Sequence, residues 1–131
     1  MAHGTAQSGL GEYRKVQAGG GLSDASPHRV VQVMLQTVLD RCSEAKGQMH
    51  RGETAAKAES IGKALRIVEG LQLNLDREKG GDIAENLNAL YDYSTQTLLR
   101  ANSDDSPELL DEVSGLMNEI KSAWDEIAEA E

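Results

Sequence analysis

The chain has no phenylalanine, three tyrosines and one tryptophan, so its core must be built from aliphatic side chains. It has a single cysteine, Cys42, which cannot form an internal disulfide and suits a reducing compartment. Proline occurs twice. No apolar run approaches the roughly 20 residues that span a bilayer. Basic residues are also short: 13 Lys+Arg stand against 22 Asp+Glu, a net charge of -9. A field of that sign repels phosphate backbones and anionic lipid, so neither nucleic acid nor a membrane surface is an expected partner. The N-terminus lacks the apolar stretch of a signal peptide, and a cytoplasmic location is expected.

Catalytic chemistry is equally thin. His3, His28 and His50 are the three histidines, and none completes the Glu-x-x-His pair of a di-iron bundle. The glycines at 19–21 lead into no Lys-Ser/Thr, and Gly62-Lys63 is followed by Ala64, so no phosphate cradle forms. Cys42 shares the inward side of its segment with Leu35, Val38 and Leu39, as an inert core thiol would. The carboxylates are scattered over polar faces. No enzyme activity, metal or cofactor is expected.

What is present is helix punctuation. Residues 1–25 are rich in Gly, Ser and Ala and read as a mobile arm, with one short docking helix over 11–18 that puts Tyr13 and Val16 on one side. Ser26-Pro27 is an N-cap followed by proline at the first helical position, and Gly52 closes the helix it opens. A second helix spans about 54–75. Gly80-Gly81 marks the next turn, and Asp82 with Glu85 forms a capping-box pattern for a third helix reaching about Asn102. Ser106-Pro107-Glu108 opens a fourth, ending near Ala128. Four helices with short links, and no strand alternation, predict an all-α, antiparallel up-down-up-down four-helix bundle over 26–131.

The stripes on these helices are unequal. The fourth carries one clean apolar face: Leu109, Leu110, Val113, Leu116, Met117, Ile120, Trp124 and Ile127. The third groups Ile83, Leu87, Leu90, Tyr91, Leu98 and Ala101, with Ser94 as a polar exception. The second puts Leu65, Val68 and Leu75 on one side but spreads Ile67, Leu71 and Leu73 around the circumference. The first also runs wide, from Val30 to Leu39. Surplus apolar surface needs a cover: the arm, a second copy of the chain, or a partner.

Tyr91 and Tyr93 cannot both face one core, because two helical positions turn the chain about 200°. Tyr91 falls on the core side. Tyr93 falls on a mixed flank beside Asn86, Leu90 and Thr97. Such a strip can bind a peptide, with Asn86 hydrogen-bonding its backbone, or it can be a bundle edge with the ring lying on a neighbouring helix. Spacing leaves both open.

The stretches YRKVQ…ASPHRVVQVML at 13–35, LDREKGGDIAENLNALYDYS at 75–94 and LLRAN at 98–102 resemble FliS, the flagellar export chaperone family, in order and spacing. The resemblance implies an antiparallel four-helix bundle that binds the C-terminal segment of flagellin in the cytoplasm. It also implies that the bundle keeps that segment from polymerising and delivers it to the components of the flagellar type III export gate. It further implies an N-terminal arm that occupies one groove until flagellin displaces it. Carried onto this chain, Tyr13 and Val16 become the plug, and Asn86, Leu90 and Tyr93 candidate peptide contacts. Ile67 and Leu71 join them from the surplus on the second helix. The chain departs from the family pattern at Ser94, where methionine often follows the tyrosine pair, and at Val30, where leucine is usual. The alternative is a homodimeric structural bundle without a client, and the expected state is a monomer or weak homodimer.

Overall fold

A computed structural model of the chain describes residues 26–127. The arm, with Tyr13 and Val16, lies outside the described residues. Four helices follow one another: α1 (Pro27–His50), α2 (Thr54–Leu73), α3 (Arg77–Asp104) and α4 (Pro107–Glu126). Each packs against two neighbours, α1 on α2 and α4, and α3 on α2 and α4, which closes a four-membered ring. Side-chain links run from early to late residues along each pair: Gln32 to Asp125 and Lys46 to Asp111 across α1–α4, Lys57 to Asn102 and Gln72 to Asn88 across α2–α3. Neighbouring helices are therefore antiparallel, as the short links require.

Local sequence explains where the helices begin and end. The Ser26 hydroxyl accepts from the Arg29 backbone N–H, with Pro27 at the first helical position. Ser106 does the same for Leu109 ahead of Pro107. Each such cap stabilises a helix by about 1 kcal/mol. At the end of α1, Gly52 takes φ 71° while its N–H donates to the Met49 carbonyl and the Glu53 N–H to that of Gln48. This is a Schellman closure, which needs the left-handed region that glycine enters without strain.

α3 begins earlier than the punctuation predicts. Asp76, not Asp82, is the cap: its carboxylate accepts from the Lys79 N–H, and one helical turn forms before Gly81. Gly81 then takes φ 53°, ψ −127°, so the helix proper resumes at Asp82. The glycine pair thus separates a first turn, capped by Asp76, from the helix proper, as its turn character predicts.

The core is aliphatic, built on Leu35, Val38, Ile61, Ile67, Val68, Leu98, Leu110, Val113 and Met117, with Tyr91 at its side. Ile67 and Leu71 are both buried in this core, which corrects their placement on a surplus face. The true inward ladder of α2 is Lys57, Ser60, Ile61, Ala64, Ile67, Val68 and Leu71, a 3-4 repeat centred away from Leu65 and Leu75. Small residues let α2 sit close to its neighbours, and the Met34 methyl approaches Gly70 at the α1 contact. Leu73 alone of that group is exposed. The wide face of α1 is likewise consumed, because Val31 and Leu39 pack at the margins of a core that meets two helices.

Candidate functional site

A groove lies between α3 and α4 at the pole where α3 starts and α4 ends. Ile83, Leu87 and Leu90 form one wall. Leu116, Ile120, Ala123, Trp124 and Ile127 form the other, and Glu119 is the one charged group. The groove holds ≈ 330 Å³ and is lined almost wholly by carbon. Ile83 and Ile127 are 71% and 54% exposed, a costly arrangement in a free monomer and the ordinary mark of a docking surface.

Sequence periodicity assigned Ile83, Leu87, Leu116, Trp124 and Ile127 to the interior. Leu87 and Trp124 do pack against the core, whereas Ile83 and Ile127 are exposed. At this end the outer parts of the α3 and α4 stripes flank an open furrow. A signal was available: the chain's one tryptophan lies among three isoleucines in the last turns of α4 and the first of α3, more apolar bulk than a bundle end needs.

The flanking residues take distinct positions. Leu90 lies in the groove wall. Asn86, one turn nearer the start of α3, is exposed. Tyr93 is 44% exposed and outside the groove lining, and its hydroxyl donates to the Glu112 carboxylate of α4. That hydrogen bond raises the Tyr93 phenol above its ordinary value. Tyr93 follows Leu90 and Glu112 precedes Leu116 by about one turn each, so the pair bridges the two helices just past the groove's last leucines. Thr97 returns its hydroxyl to the Tyr93 carbonyl and is buried, so it belongs to the fold. Ile67 and Leu71 contribute nothing to the groove.

At the other end, Trp124 is held by α1. Its indole N–H donates to the His28 carbonyl at 2.9 Å, and its ring stacks on the His28 imidazole at 5.0 Å with the planes 13° apart. His28 is the second residue of α1, immediately after the cap that joins the undescribed arm. The first turn of α1 and the groove wall therefore meet at this contact.

Nothing in this region is arranged for bond chemistry. Among the described residues there is no cluster of three or more His, Cys, Asp or Glu able to hold a metal. Burial pushes the Cys42 thiol up to about 11, opposed by a contact with Ser114, so it stays protonated at neutral pH. Among the described residues no helix is long and apolar enough to cross a membrane.

The flagellar protein FliS family matches residues 10–131. The flagellar secretion chaperone FliSB of Pseudomonas aeruginosa is 42% identical over 94% of this chain and 98% of its own length. The flagellar secretion chaperone FliS of Vibrio cholerae is 42% identical over 90% of this chain and 87% of its own. That of Salmonella typhimurium is 36% identical over 92% and 90%. With a matched region that takes in the whole bundle, the chain belongs to the FliS family of flagellar proteins.

Proposed function

We propose that this chain is a flagellar export chaperone in which the α3–α4 groove holds the C-terminal segment of flagellin, keeps it from polymerising and presents it to the cytoplasmic export gate. One observation carries the proposal: a carbon-lined groove of ≈ 330 Å³ with exposed isoleucines at its open end, in a chain of this family. A groove of this kind suits an amphipathic segment that is disordered alone and folds as it docks, laying an apolar face onto Leu87, Leu90, Leu116 and Trp124. Asn86, at the rim, is available to the segment's backbone, and Tyr93 to its passing side chains. Such binding is non-covalent and needs neither turnover nor cofactor.

The arm supplies the resident cover. Ser26 stands two residues before His28, which holds Trp124, and the 13 steps from Tyr13 to Ser26 reach at most about 45 Å. Tyr13 and Val16 can then lie in the groove until flagellin displaces them.

Calorimetry with a C-terminal flagellin peptide is the test. Saturable binding at micromolar concentration, with a negative heat-capacity change from apolar burial, is the expected outcome. A chain that ignores the peptide and instead dimerises through the same face, seen by light scattering, would make the groove a self-association surface.

A further inference from the structure

His28 does not itself line the groove, yet it holds Trp124, the one aromatic side chain among the described lining residues. The indole of Trp124 has two torsions to fix. The hydrogen bond to the His28 carbonyl fixes where the N–H edge points, and the stack on the imidazole fixes the plane. His28 is itself 7% exposed and anchored in the first turn of α1, behind the Ser26 cap and Pro27, so it is a firm backing. Without it, an indole at a groove rim would sample several rotamers and would have to be ordered each time a segment docked.

We propose that His28 is a positioning residue for the groove: it holds the Trp124 indole as a rigid wall before any segment arrives, and so sets how tightly the groove takes apolar side chains. The inference rests on the groove being the site for the flagellin segment. Its physical content is preorganisation. Ordering one large side chain on binding lowers affinity by roughly 3- to 10-fold, and the clasp removes that loss in advance. What the His28 ring contributes is a flat face, so phenylalanine reproduces the contact and alanine or leucine does not.

The experiment compares the full-length wild type with H28A, H28L and H28F, by calorimetry with the C-terminal flagellin peptide and by near-ultraviolet circular dichroism of Trp124, the chain's one tryptophan. All measurements are made well below the melting temperature of each variant. H28A and H28L should bind roughly 3- to 10-fold more weakly and lose the fixed indole signal, while H28F keeps both within about 2-fold of wild type. H28L fills the site without a ring, so it decides the matter even if H28A fails to fold. Unchanged affinity in H28L, or H28F as weak as H28L, overturns the role of the stack while leaving the flagellin reading intact. Absence of binding by the wild type overturns both together.

Discussion

The hydroxyl of Tyr93 on α3 donates to the carboxylate of Glu112 on α4, a cross-helix tie just beyond the last leucines of the groove. The tie is solvent-exposed, so it adds little to the stability of the bundle, but it keeps the ring beside the groove mouth. Tyr93→Ala should weaken binding of a C-terminal flagellin peptide by roughly 5-fold or more with almost no change in melting temperature. Tyr93→Phe should fall between the two. A lowered melting temperature with unchanged peptide affinity would make Tyr93 a structural residue.

Lys57 is 4% exposed, and its ammonium donates to the Asn102 carbonyl at 2.9 Å while pairing with Asp105 at 3.1 Å. It fastens the start of α2 to the left-handed end of α3, where Asp105 has φ 53°. Lys57→Ala leaves a cavity and an unpaired carbonyl, and should cost about 2 kcal/mol in urea unfolding. Lys57→Met keeps the packing and should cost about half that. Equal losses would mean that charge pairing, not packing, dominates.

Gly81 occupies a backbone conformation, φ 53° and ψ −127°, that residues with a Cβ rarely adopt. Gly81→Ala should destabilise the chain by about 1–3 kcal/mol, although nothing stands within 4 Å of the added methyl. Strain is then the whole effect. An unchanged melting temperature would show that the break in α3 is not required.

Burial also gives the chain an alkaline weakness. The Cys42 thiol ionises at 9.0 ordinarily and at about 11 in the fold, so the folded state resists losing this proton. Its contribution is fully present below pH 9 and is lost as pH rises towards 11. At about 1.4 kcal/mol per pH unit, the loss is on the order of 2–3 kcal/mol. Tyr91, raised from 10.0 to about 12 by burial, adds a second loss between those values. In Cys42→Ala, stability should stay level until about pH 10 and then fall. A profile parallel to wild type between pH 9 and 10 would contradict the assignment.

Ser26-Pro27, Gly52 and Ser106-Pro107 made both ends of α1 and the start of α4 legible, because caps act within a few residues and leave a local signature. The Gly80-Gly81 turn and the start of the helix proper at Asp82 were legible too, but the extra first turn that Asp76 caps was not. Periodicity identified an apolar face on every helix without saying which part of it a neighbour covers. That is a property of the ring of helices, and it sent Ile67 and Leu71 inward while leaving Ile83 and Ile127 outside. The groove was therefore legible only as an excess of apolar residues, and of the candidate contacts Leu90 alone lies in its wall. The clasp between His28 and Trp124 joins residues 96 positions apart, and no local pattern carries it.

Trp124 offers the most direct test of the groove as the flagellin site, because it is the chain's one tryptophan and stands in the groove wall. A tryptophan-free C-terminal flagellin peptide should shift its emission to shorter wavelength and saturate with the affinity measured by calorimetry. Saturable binding in the calorimeter with Trp124 emission unchanged would place flagellin elsewhere on the bundle and contradict the account.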